Sequence, residues 1–264
     1  MENFSEKIWK YMDLAKFISL LSKESLYFAC PREFNDPFEG YFPKNYAQDY
    51  AGKYIKIIED LTSKRDEFAG ASVNPKDRQL VDAKIKELDD AINGINTSLI
   101  MEIEENISQS GVSCWHKSEY ESEAMWKLYT ASGQGIAIES TIGQLKDSII
   151  NEESLEIKSV TYLSEDDPKK EDGKLDILFW KRKAFEHEKE LRATISLKEK
   201  GKGAFVECDL DKLISRIHVS PLVEPYLKEI VKEVCVGKVR DINNLVHRST
   251  LLDKPDYTVT ALAR

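Results

Sequence analysis

An α+β fold is what this chain predicts, with a mixed, mainly antiparallel sheet core and an inserted antiparallel helical hairpin. Three observations carry that expectation. Short β-rich runs such as "SLYFAC", "VSCWHKS" and "GIAIES" are scattered among helical segments without a regular strand–helix alternation. The run "ELRATISL" is followed, after "KEKGKG", by "AFVECDL", which reads as two strands of a hairpin. Finally, Val81, Ile85, Leu88, Ile92, Ile95 and Leu99 recur at alternating steps of four and three and continue into Ile103 and Ile107, the seam of a coiled coil.

The elements follow in order. "WKYM" reads as a strand, and Leu14, Phe17, Ile18 and Leu21 have the spacing of one helix face. "SLYFAC" is the next strand, closed by the loop "CPREFNDPFEG". In that loop Pro37 pushes Asp36 toward extended backbone, Asn35 and Asp36 mark a turn, and Phe34 and Phe38 flank it as anchors. Tyr50, Tyr54, Ile57, Ile58 and Leu61 place a helix before a break at "GASVNPKD", and the coiled-coil seam follows. Residues 44–108 therefore form an inserted arm, and residues 1–43 with 109–264 form one catalytic-type domain. Beyond the arm, "VSCWHKS" reads as a strand, Glu121 to Ala131 as a helix and "GIAIES" as a strand. "SEDDPKKEDGK" is a charged loop, "ISRIHVSP" a strand, "LVEPYLKEIVKEVCVGK" a helix ended by Gly237, and "YTVTALAR" a last strand.

Composition narrows the function classes. The chain has 264 residues, 41% of them hydrophobic and 32% charged, enough for a full-sized core. Its net charge of -9 disfavours non-specific nucleic-acid binding, which needs clustered cations. Cys30, Cys114, Cys208 and Cys235 form no Cys-x-x-Cys pair, and His116, His187, His218 and His247 are scattered, so no structural metal is expected. The first residues lack a signal-peptide pattern, and no apolar run is long enough for a membrane span, so a cytoplasmic protein with reduced thiols is expected.

No phosphate loop, dinucleotide fingerprint or nucleophile elbow occurs, and a Cys114–His116 pair on one strand face has a poor angle for proton transfer. The segment "EHEKELRATISL" stands out instead. Read as a strand from Glu188, it puts Glu188, Glu190, Arg192 and Thr194 on one face, and Leu191, Ala193, Ile195 and Leu197 on the other. Carboxylates two apart on a strand lie roughly 6.5 to 7 Å apart, room for a sugar or water between them. Arg192 could hold either acid ionised, and the alternative is an ordinary solvated face.

The motifs "FNDPFEG", Met125-Trp126 with Tyr129, and Glu188-x-Glu190-x-Arg192 resemble a bacterial family known as domain of unknown function 2971, over most of the chain outside residues 44–108. More weakly, the order of segments resembles the ADP-ribosyltransferase fold, in which a late strand carries a catalytic Glu with another acid two residues earlier. That resemblance implies NAD as substrate, Glu190 facing the nicotinamide ribose, Glu188 orienting the acceptor, and Arg192 fixing Glu188. Lys10, Tyr11, Trp115, Ser118 and Tyr129 are the implied nucleotide contacts, with Asn35, Asp36 and Glu39 as loop or substrate residues. Lys10 or Tyr11 stands where the fold carries a His or Arg. A toxin or phage-defence effector with a protein or nucleic-acid acceptor is the setting this implies. Two alternatives stand beside it. One is a nuclease or phosphohydrolase with Asp36, Glu188 and Glu190 on Mg²⁺. The other is a non-enzymatic module in which residues 44–108 bind a partner or a second copy.

Overall fold

The computed structural model describes residues 2–130, 134–164, 167, 176–223 and 226–255. Strand β1 (Lys7–Asp13) runs directly into α1 (Leu14–Lys23), because Asp13 turns from strand to cap and accepts from the Lys16 amide at 2.8 Å. Next come β2 (Ser25–Phe28), a 3₁₀ turn at Pro31–Glu33, and the helices α2 (Lys44–Tyr50), α3 (Gly52–Gly70) and α4 (Arg78–Ser108). Then follow β3 (Ser110–Lys117), α5 (Glu123–Tyr129), β4 (Gly135–Thr141), α6 (Ile142–Ser148), β5 (Glu156–Ser159), β6 (Thr161–Leu163) and β7 (Trp180–Arg182). A 3₁₀ helix at Lys183–Glu188 leads into β8 (Glu190–Ser196). The described chain closes with β9 (Ala204–Glu207), α7 (Leu210–Leu213), β10 (Arg216–Val219), α8 (Tyr226–Cys235), α9 (Ile242–Leu245) and β11 (Val246–Arg248).

Seven strands make one sheet in the order β11-β10-β4-β1-β3-β8-β5. Its pairs are antiparallel except β10 with β11, so the fold is α+β with a mixed, mostly antiparallel sheet. The expected hairpin of β8 with its returning strand does not form. β8 is central, bonded to β3 on one side and β5 on the other, so β9 crosses away to pair with β2. The expected last strand, residues 257–264, lies outside the described residues, as does most of the charged loop at 164–174.

One face of the sheet carries the main core. Ile8, Met12, Trp115, Ile136, Ile138, Leu191, Ala193, Ile195 and Ile217 point there and meet Phe17 and Leu21 of α1, Leu145 of α6 and Val231 of α8. The opposite face carries a smaller cluster, Trp9, Tyr11 and Ala137 under Met125 and Trp126 of α5. The Ser122 side chain caps that short helix, accepting from the Met125 amide.

The arm is an antiparallel pair. Tyr54 Oη donates to Glu102 near its root, while Arg65 of α3 faces Asp89 of α4 further out. Every seam residue of α4 is at least half-buried, Leu88 and Ile107 fully, whereas Ile57 of α3 points to solvent. At the root, Gly40 has a φ of +81°, and a Cβ there would sit 2.6 Å from Ile107 Cγ1. Only glycine permits both the turn and the approach of the "FNDPFEG" loop to α4. Among the described residues no helix is long and apolar enough to cross a membrane.

Candidate active site

The polar face of β8 is not wet: Glu190 is 5% exposed and Arg192 0%. Arg192 spends all five of its N–H donors. Nε and Nη2 each donate to a Glu190 oxygen at 3.1 Å. Nη1 and Nη2 donate to the two Glu39 oxygens, and Nη1 also donates to the Leu178 carbonyl at 2.6 Å. Glu39 thus belongs to this lock rather than to an open loop. Burial penalises the Glu190 carboxylate, but Arg192 and Lys181 outweigh it and hold the pKa below its ordinary value. Burial pushes the Glu39 carboxyl up against the pull of Arg192. Phe34 lies 6.0 Å from the guanidinium, and the Asp36–Arg182 pair at 2.8 Å with Phe38 over Arg182 fastens the rest of the loop. Asn35 is exposed at its tip.

Glu188 departs from the expected strand. It ends a 3₁₀ helix, and Lys189 after it is left-handed with a φ of 41°, so the alternation breaks between the two acids. Arg192 does not bind Glu188. Lys181 does, with Nζ 2.7 Å from Glu188 Oε2 and 3.5 Å from Glu190 Oε2. Burial works against the Lys181 charge, yet Glu190 and Glu188 keep its pKa raised. Glu188 Oε1 has no protein partner among the described residues, and it is not among the buried polar atoms left unsatisfied. Three carboxylates against two cations leave this cluster one formal negative charge.

Glu188 and Glu190 line a cleft with Trp9, Tyr11, Cys114, Trp115, His116, Met125 and Tyr129, its free interior about 30 Å³, room for a water. The cleft lies between α5 and the 3₁₀ helix on the sheet face opposite the main core. Tyr11 is fixed by its ring edge on Trp126 at 5.1 Å and accepts from the Ser122 amide at 2.7 Å. Burial, then Glu188, Cys114 and Glu190, push the Tyr129 phenol up, so it stays protonated beside the acids. Tyr162, whose oxygen accepts from the Glu190 amide at 2.7 Å, is raised chiefly by burial. The Cys114 thiol is pushed well above its ordinary value by burial and by Glu190, which removes it as a thiolate nucleophile. Cys30, Cys208 and Cys235 are buried free thiols.

Of the expected nucleotide contacts, Tyr11, Trp115 and Tyr129 line the cleft, while Lys10 and Ser118 lie outside its lining. Lys10 points to the main-core side, donating to Ser113 Oγ at 3.0 Å and the Cys114 carbonyl at 3.1 Å, with burial lowering its pKa to about 8. Trp115 is in the cleft lining but also belongs to that core, with the Lys10 ammonium 5.2 Å from its ring centre. Strand alternation separates both from Tyr11. Ser118 stands outside the cleft lining, its carbonyl accepting from Trp9 Nε1 at 2.8 Å. The Mg²⁺ alternative asks Asp36, Glu188 and Glu190 to converge, but Lys181 bridges Glu188 and Glu190 while Asp36 pairs with Arg182, and among the described residues no three possible ligands group together.

The sequence pattern did not single out Lys181, Trp9 or His116 as parts of the site. Lys181 carries no local signal. Trp9 and His116 could have been found from the register, since they face each other across β1 and β3, and His116 faces Glu190 across β3 and β8. No family model, curated protein or solved structure matches the chain.

Proposed function

We propose that the cleft is the active site of an ADP-ribosyltransferase-like enzyme that breaks the nicotinamide–ribose bond of NAD and passes ADP-ribose to an acceptor. The observation that carries this is Glu188 Oε1, unpartnered among the described residues, in an aromatic-walled cleft beside a cluster with one net negative charge. Such charge suits a cationic nicotinamide ring and the oxocarbenium-like centre that forms as it leaves. The free interior of about 30 Å³ has room for a water and not for a nucleotide, so the nicotinamide ribose enters only as the cleft widens. Tyr11 and Tyr129 flank the ring, Glu188 meets the ribose, and Glu190 with Arg192 and Glu39 holds the strand end in place. The resemblance to domain of unknown function 2971 fits this division, because its motif residues Glu39, Glu188, Glu190 and Arg192 form one connected cluster with Lys181. In a toxin or phage-defence setting the acceptor is a protein or nucleic acid. The test is incubation of the full chain with labelled NAD and cell extract. Label transfer or NAD loss, abolished in Glu188→Gln, is expected; intact NAD with no transfer defeats the proposal.

A second role, recruitment of a partner or another copy by the arm, is favoured by the exposed Leu80, Ile100 and Met101 of α4. Light scattering of the full chain and of a variant with serine at these three positions tests the self-association form. A dimer lost in the variant supports it, and equal masses count against it.

A further inference from the structure

His116 lines the same cleft and has no part in the division of roles above. Its Nδ1 lies 2.6 Å from the Glu188 carbonyl oxygen, which can only accept, so Nδ1 carries the proton and Nε2 the lone pair. Nε2 has no protein partner among the described residues. Nor is it sealed away, since among the described residues the buried side-chain atoms without a partner are Glu6 Oε2, Trp115 Nε1, Trp180 Nε1 and Arg182 Nε. The lone pair therefore opens onto the space that His116 shares with Glu188 and Glu190. The Tyr11 ring stands edge-on to the imidazole at 6.2 Å and holds its plane. Burial lowers the His116 pKa below its ordinary 6.5, which keeps the ring neutral near pH 7. The titratable and charged groups around it are Glu188, Lys189 and Glu190 from the β8 side, Cys114 on its own strand, Tyr11 of β1 and Tyr129 of α5.

We propose that His116 is the general base of this site, accepting the proton of the hydroxyl, or water, that attacks the ribose. This rests on the NAD-cleaving function proposed above. As the acceptor oxygen bonds to ribose C1′, the bond from C1′ to the nicotinamide nitrogen breaks. Its electron pair stays on that nitrogen, neutralising the ring, and the acceptor's proton passes to His116 Nε2. Glu188 serves twice: its carboxylate meets the ribose, and its carbonyl fixes the imidazole tautomer. The left-handed Lys189 is what allows both, because it turns Glu188 out of line with β8 and lets its carbonyl face β3.

The experiment pairs a variant with a measurement on the unaltered protein. His116→Asn keeps an amide donor where Nδ1 stands, so the bond to Glu188 survives while the base is lost. NAD turnover of wild type, variant and variant with added imidazole is followed against pH, and the wild-type tautomer is read by ¹⁵N NMR of the ring. Expected are an Nδ1–H tautomer, turnover in His116→Asn lower by about 100-fold or more, an unchanged KM for NAD, loss of the acidic limb of the pH profile, and partial rescue by imidazole. An Nε2–H tautomer, or full turnover in His116→Asn, overturns the assignment. NAD left intact by the wild type defeats the substrate reading and with it this role in NAD cleavage, whereas an Nε2–H ring with NAD still consumed overturns the base assignment alone.

Discussion

Glu190 and Glu188 are two residues apart and chemically identical, yet the fold treats them in opposite ways. Glu190 is sealed, with both oxygens bound by an Arg192 whose five donors are spent. Glu188 has one oxygen without a partner among the described residues and faces a cleft. The difference comes from one left-handed residue between them, Lys189, and from a loop about 150 positions earlier in the chain that delivers Glu39. A buried ion cluster is a poor source of net stability, but it fixes geometry, and breaking it is costly. The pair teaches that the acid most tightly held is the frame, and the acid left partly unpaired is the part available for chemistry.

The largest expected effect breaks the frame. Arg192→Met leaves Glu39 and Glu190 buried without their cation, and unfolding in denaturant is expected to show a loss of about 3–5 kcal/mol. Next, Gly40→Ala forces a Cβ against Ile107 at a positive φ and is expected to cost about 1–3 kcal/mol by the same measurement. If it costs nothing, the loop is not held against the arm root. A third test uses pH at another sealed acid on the same sheet face. Glu139, with His218 and then Lys7 as partners against the cost of burial, has its pKa depressed from 4.5 to about 2. Its folded pKa lies below the unfolded one, so its contribution is present above pH 4.5 and is lost as pH falls toward about 2. Glu139→Gln should therefore show a flatter loss of stability across that window than wild type, and parallel curves would contradict the depressed pKa. The smallest stability effect sharpens the contrast: Glu188→Gln is expected to cost about 1 kcal/mol or less, since the amide oxygen still accepts from Lys181.

Much of the fold was legible because its signals are local. The seam from Val81 to Ile107 shows in the sequence since helical periodicity needs no distant partner, and the apolar set Leu191, Ala193 and Ile195 does face the main core. What failed was non-local. The alternation of Glu188 with Glu190 looked like one strand because nothing in "HEKEL" announces a left-handed lysine. The polar face of β8 could be expected wet only while Glu39 was unplaced. "KEKGKG" has the composition of a hairpin turn, but strand pairing depends on free edges, and both edges of β8 are taken by β3 and β5. Lys10 and Tyr11 were grouped as neighbours, although adjacent residues of a strand face opposite ways.

The most direct test of the division between frame and site sets Glu188→Gln beside Glu190→Gln, measuring NAD turnover and unfolding free energy for both. Turnover is expected to fall by about 100-fold or more in Glu188→Gln, with stability close to wild type. Glu190→Gln is expected to lose about 2–3 kcal/mol, because a charged buried hydrogen-bond network is broken. Wild-type NAD turnover in Glu188→Gln, or wild-type stability in Glu190→Gln, would contradict the account.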